Sequence, residues 1–180
     1  MEILSSNRLE LRLLDFTDKY DIFEYRSQPD INRYQLWKPS SVEEVERFIS
    51  TGIVREPNIP NTWMQLAIIT KDTNELIGDL GIHFIQNEPD QVEIGITIKR
   101  EEQRKGYATE ALALIFDYVF IRLLKHRIIA SIDSDNHASI KLMERMKMRK
   151  EAHFRNSLYV DGKWVDDVVY AILKEEWKKT

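Results

Sequence analysis

The chain has 180 residues, no cysteine, 43% hydrophobic and 31% charged residues, and a formal net charge of −4. That balance fits one soluble globular domain with a real core, and the lack of cysteine excludes disulfides, thiolate metal sites and a cysteine nucleophile. No apolar run approaches the ~20 residues of a membrane span, and the mildly acidic balance gives no basic footprint for nucleic acid.

No repeat, low-complexity tract or linker divides the chain, so a single domain over residues 1–180 is expected. Met1 to Arg12 lacks a signal peptide's apolar stretch, which makes the cytoplasm the expected location. Arg8 to Leu14 alternates charged and apolar residues and predicts a strand, followed by a helix capped near Asp15 or Thr17 and running to about Ser27. A loop containing Pro29 follows. Ser40 or Ser41 opens a second helix, with Glu43 and Glu44 in the first turn and Val42, Val45, Phe48, Ile49 and Ile53 at helical spacing. Trp63–Thr70, Leu76–Ile85 and Gln91–Lys99 predict three strands joined by polar turns. In the third, Val92, Ile94, Ile96 and Ile98 face one way and Glu93, Gly95 and Thr97 the other. A charged loop from Arg100 to Lys105 reaches Gly106 and a long amphipathic helix, with Ala108, Ala111, Leu112, Ile115 and Val119 on one stripe. Arg127–Asp133 predicts a strand, Asp135-Asn136 the cap of a short helix to about Met146, and Ala152–Val160 and Trp164–Leu173 a hairpin turning at Asp161-Gly162. The order β-α-α-β-β-β-α-β-α-β-β is that of a mixed α/β (α+β) sheet.

The chemistry concentrates where the Gln91–Lys99 strand meets the long helix. The first N–H groups of a helix have no partner, and the helix end carries roughly half a positive charge, so this junction suits a pyrophosphate. Gly106 lets the backbone approach closely, and Arg104 and Lys105 add charge. The same glycine can also do no more than open an ordinary helix. No G-x-x-x-x-G-K-[ST] and no G-x-G-x-x-G is present. The four histidines, His83, His126, His137 and His153, lack ligand spacing, so no metal is expected.

Gln103-Arg104-Lys105-Gly106-Tyr107-Ala108 resembles the Q/R-x-x-G-x-G/A pyrophosphate motif of the GNAT acetyltransferases. Asn7-Arg8-Leu9-Glu10-Leu11-Arg12 is similar to the opening of that family's RimJ/RimL-like branch, which includes ribosomal-protein N-terminal acetyltransferases. Asn136-x-x-Ser139, Trp164 to Tyr170 and Leu173 to Trp177 resemble further segments of the same branch, in the same order. The resemblance implies a GNAT fold: a central sheet of about seven strands, splayed between the fourth and fifth (Gln91–Lys99 and Arg127–Asp133), flanked by about four helices. It implies acetyl-CoA as co-substrate, bound by Ile96, Thr97 and Ile98, by Gln103, Arg104, Lys105, Gly106, Tyr107, Ala108 and Thr109, and by Asn136 and Ser139. Asn136 also fits a plain helix N-cap.

An alkyl amine is mostly protonated at neutral pH and must lose a proton before it attacks a thioester. Glu93 is the candidate base, acting through water, although a solvated strand carboxylate or an ion pair fits it as well. Many relatives place a tyrosine acid where Met143 stands here, and Ser139 can take over by hydrogen-bonding the leaving thiolate. Met146-Lys147-Met148 also departs from the usual Gly-Phe helix exit. Tyr34, Trp37 and Trp63 fit an acceptor lining or simple lid packing. Arg145, Lys147, Arg149 and Lys150 fit a solvated face. The implied acceptor is a protein or peptide N-terminal amine, with small amines such as polyamines or a non-catalytic acyl-CoA sensor as alternatives. No membrane or nucleic-acid partner is expected, and a homodimer is compatible with the resemblance.

Overall fold

Period-two alternation sorts the strand residues onto two faces, and each face carries its own helices. The computed structural model describes residues 2–177; Met1 and residues 178–180, the ends of the expected 1–180 domain, lie outside the described residues. Its strands are β1 (Leu4–Ser5), β2 (Leu9–Leu13), β3 (Thr62–Thr70), β4 (Leu76–Phe84), β5 (Gln91–Ile98), β6 (Arg127–Asp133), β7 (Arg149–Val160) and β8 (Lys163–Leu173). They form one sheet in the order β1-β2-β3-β4-β5-β6-β8-β7. Every neighbouring pair is antiparallel except β5 and β6. The helices are α1 (Lys19–Arg26), α2 (Pro29–Asn32), α3 (Val42–Arg47), α4 (Tyr107–Asp117) and α5 (His137–Arg145).

Three elements differ from the sequence expectation. β1 is an eighth strand of two residues, pairing Leu4 with Leu11 and Ser5 with Glu10, and is too short to show alternation. α2 is a single turn where a loop was expected; Pro29 stands at its first position, where the missing N–H costs nothing. β7 begins at Arg149 rather than Ala152. The helix entries follow local chemistry. Asp15 and Asp18 form a reciprocal capping box before α1, and Ser41 Oγ accepts the Glu44 N–H at 3.3 Å before α3.

On one face, Met64, Leu66, Leu80, Ile82, Val92 and Ile94 pack against Leu112, Ile115, Phe116 and Met143 from α4 and α5. On the other, Ala67, Ile69 and Leu76 pack against Ile22, Tyr25, Val45 and Ile49 from α1, α3 and the turn after α3. Each fully buried aliphatic side chain contributes about 1.5–3 kcal/mol, so both layers are firmly held. At the far edge, β7 turns into β8 through Asp161 and Gly162, both at positive φ (49° and 82°), as a two-residue type I′ turn requires.

The feature that positions the site is a fork. β5 pairs with β4 along its length, but its parallel pairing with β6 covers only Gln91 with Arg127, Val92 with Ile128 and Glu93 with Ile129. Beyond Glu93 the two strands part, as the resemblance implies.

Candidate active site

Hydrogen-bond alternation decides which backbone groups face the fork. Lys99 N–H bonds the Ile77 carbonyl, so the odd-numbered residues of β5 direct their backbone toward β4. The N–H and C=O of Ile96 and Ile98 therefore point toward β6, where no strand is in register to meet them. Gln103 Nε2 takes the Ile98 carbonyl at 3.0 Å, so this side chain fastens the following loop to the end of β5. Thr97, between them, turns its backbone to β4 and its side chain to the opposite face. Its hydroxyl is buried and has no hydrogen-bond partner among the described residues.

The loop from Gln103 enters α4 through two left-handed residues, Arg104 (φ 63°) and Gly106 (φ 87°), the latter being the N-cap. A glycine N-cap offers no side-chain acceptor. Among the described residues, no hydrogen bond is donated by the backbone N–H groups of Arg104, Lys105, Gly106, Tyr107, Ala108 or Thr109. Six adjacent free donors at the positive end of an eleven-residue helix are a cradle that fits a pyrophosphate. Lys105 Nζ is held by Glu102 at 2.9 and 3.0 Å.

A cavity of about 340 Å³ opens at the fork. Glu93, Gly95, Ile96, Thr97, Asn136, Ser139 and Met143 all line it, so α5 and β5 bring together residues far apart in sequence. Asn136 is the N-cap of α5; its Oδ1 accepts the Ser139 N–H at 3.2 Å. Met143 is buried in the wall. The phenol at the cavity is Tyr34, whose hydroxyl donates to the Asp135 carbonyl at 3.2 Å. The Tyr34–Trp37 segment covers the cavity, Trp37 stacks on Phe48 with centroids 4.1 Å apart, and Lys38 pairs with Asp161 at the β7–β8 turn. From the sequence's basic run, Arg149 is paired with Glu151 and Glu176.

The residues that sequence reasoning missed cluster under this lid. His83 sits opposite Glu93 in register, with its Nδ1 3.4 Å from Glu93 Oε2, and its ring stacks on Trp63 at 4.8 Å and 8°. Gly81 and Gly95 are cross-strand partners. A Cβ on Gly81 would strike Trp63 and Gln65 at 2.8 Å, whereas one on Gly95 would meet nothing within 4 Å and would project into open space. Glycine inside a strand is itself a signal of close approach, and that signal was available in the sequence. Beside them Asp79, 1% exposed, accepts from Arg26 Nε (3.0 Å) and Nη2 (2.6 Å), from Tyr25 and from Gln65. Burial and then the Asp79 charge push the Tyr25 phenol well above its ordinary range. Burial is the largest influence on Arg26 and by itself would lower its pKa, but the charges and hydrogen bonds of Asp79 and Tyr25 together outweigh it and hold the guanidinium protonated. Arg26 also lies 5.1 Å from the Trp37 ring and lines the cavity.

A mixed sheet forked beside a helix-capped amide cradle is the architecture of an acyl-CoA-dependent transferase. Residues 8–149 match the acetyltransferase (GNAT) domain family, and the chain belongs to that family. It is therefore an N-acetyltransferase, an acyltransferase by class. It is 30% identical over 178 residues to the uncharacterized N-acetyltransferase p20 of Bacillus licheniformis, covering 98% of this chain and 99% of that one. It is 26% identical to the [ribosomal protein uS5]-alanine N-acetyltransferase of Escherichia coli (strain K12), over 97% of this chain and 92% of that one. The spermidine N-acetyltransferase of Vibrio cholerae, solved with CoA and spermine, has the same fold: TM-score 0.82 at 22% identity, over 95% of this chain and 98% of that one. Among the described residues no helix is long and apolar enough to cross a membrane.

Proposed function

We propose that residues 1–180 form a single acetyltransferase domain that moves the acetyl group of acetyl-CoA to the N-terminal amine of a protein or peptide, by direct attack in a ternary complex. The observation that carries the acceptor assignment is the cavity lining. A polyamine brings further ammonium groups and needs several carboxylates. Here the acceptor side presents Tyr34, Trp37, Phe48 and Trp63, one carboxylate, Glu93, and the cation Arg26. Asp133 lines the far side, where its Oδ1 is engaged by the Asp135 N–H at 2.8 Å. A peptide end with one amine and an apolar first residue suits this lining. The likeness to the uS5-alanine enzyme points the same way.

Acetyl-CoA supplies an activated acetyl thioester. Its pyrophosphate is assigned to the amides from Arg104 to Thr109, and its pantetheine to the fork-facing backbone of Ile96 and Ile98, beside Asn136. Thr97 serves as part of the wall. Glu93, steadied by His83, takes a proton from the incoming amine through water. The free N–H groups at the fork polarise the thioester carbonyl. Ser139 hydrogen-bonds the departing thiolate, which then takes up the proton released from the amine nitrogen.

Three measurements test this. Acetyl-CoA at ~100 times its dissociation constant adds about 2.7 kcal/mol to stability, or about 5–10 °C in melting temperature for a domain of this size. No shift at millimolar acetyl-CoA would sink the donor assignment. Short peptides with a free N-terminus should then be acetylated faster than spermidine, and blocking that terminus should stop the reaction. Preference for spermidine would refute the acceptor. Glu93→Gln should lower turnover about 10²-fold or more, most at low pH where the amine is hardest to deprotonate; an unchanged pH–rate profile removes Glu93 as the base.

A further inference from the structure

The opening Ser6-Asn7-Arg8 segment lies against the loop that enters α4. Arg8 and Glu110 are 102 residues apart in sequence. Arg8 Nε donates to Glu110 Oε2 at 2.7 Å, Nη2 approaches the same oxygen, and the Arg8 backbone N–H donates to Oε1 at 3.2 Å. Ser6 Oγ donates to Oε1 as well, at 2.6 Å. The remaining arm of the fork, Nη1, donates to the Lys105 carbonyl at 3.0 Å. The guanidinium carbon lies 4.6 Å from the Tyr107 ring centroid, and a Cβ on Gly106 would come within 3.3 Å of Nη2. One side chain thus touches or borders residues 105, 106, 107 and 110, the segment that displays the free amides.

We propose that Arg8 is a positioning residue for the donor's pyrophosphate. It fixes the first turn of α4 and the loop before it, and it neutralises Glu110. This inference rests on the phosphate placement given above. The physical problem it solves is specific. A carboxylate in the first turn of a helix competes with a bound phosphate for the same positive end. Glu110 sits there, and its ion pair with Arg8 cancels that competition while fixing the loop's shape. A planar, bidentate fork is needed to reach a carboxylate and a carbonyl at once, which lysine cannot do. Lys105, whose own charge is engaged by Glu102, is no substitute.

The test compares two donors. S-acetyl-pantetheine lacks the nucleotide and pyrophosphate that acetyl-CoA carries. Dissociation constants for both are measured by calorimetry on the wild type, Arg8→Gln and Arg8→Lys. Arg8→Gln should shrink the preference for acetyl-CoA over S-acetyl-pantetheine about 5- to 30-fold, and Arg8→Lys should fall between it and wild type. The ratio is insensitive to the fraction of protein folded, so general destabilisation does not mimic the effect. An unchanged ratio in Arg8→Gln, or full recovery in Arg8→Lys, overturns the assignment. If the wild type itself shows no preference for acetyl-CoA, the phosphate placement fails first, and Arg8's assignment falls with it.

Discussion

The donor and acceptor halves of the proposed site are built in opposite ways. The donor half is mostly local: β5, the loop at Gln103–Gly106 and the first turn of α4 are one continuous stretch, completed from outside by Arg8 and by Asn136 and Ser139 at the start of α5. The acceptor half draws on Arg26 from α1, Trp37 from the lid, Trp63 and Gln65 from β3, Gly81 from β4 and Glu93 and Gly95 from β5. A local site is specified by backbone conformation and tolerates changes elsewhere. A distributed site depends on packing and registers, so its polar groups carry structural weight too.

The sharpest way to break that contrast is Gly106→Glu. It places an anion at the amide cradle and forces a side chain onto a φ of 87°. Acetyl-CoA binding should be lost while the circular dichroism spectrum stays native; normal affinity in a folded variant would refute the cradle. Next in size, Asp79→Ala should cost about 3–5 kcal/mol in chemical denaturation, because it leaves the Arg26 charge buried without its partner. A loss below about 1 kcal/mol would mean that the acceptor half is not held by this network. Gly95→Val should act on function alone. A Cβ there meets nothing within 4 Å and points into the open cavity, so peptide KM should rise roughly tenfold with no loss of melting temperature. An unchanged KM would place the acceptor elsewhere. The smallest effect is Asn136→Ala, which removes the α5 cap and should cost about 1 kcal/mol. If its stability cost is negligible and acetyl-CoA affinity drops instead, the amide serves the donor rather than the helix.

How legible each half was follows from the same contrast. The left-handed entry at Gly106 and the alternation of β5 both follow from residue type and spacing, and the fork appears where the family resemblance put it. Thr97 shows the limit of that reading. Strand alternation placed its side chain on the Glu93 face, but which backbone groups point into the fork depended on the pairing of β5 with β4. β1 and α2 were invisible because two and four residues carry too little periodicity to be seen.

By itself, the sequence determined most of the elements, the glycine-led entry to α4 and, through its motifs, the family, because these depend on local backbone preference and on contiguous residues. The Arg26–Asp79 pair, the His83–Glu93 contact and the Arg8–Glu110 clamp were decided only by tertiary structure. Each joins residues whose proximity is set by strand register or sheet–helix packing, and no local rule of propensity or periodicity encodes which distant charge will meet which.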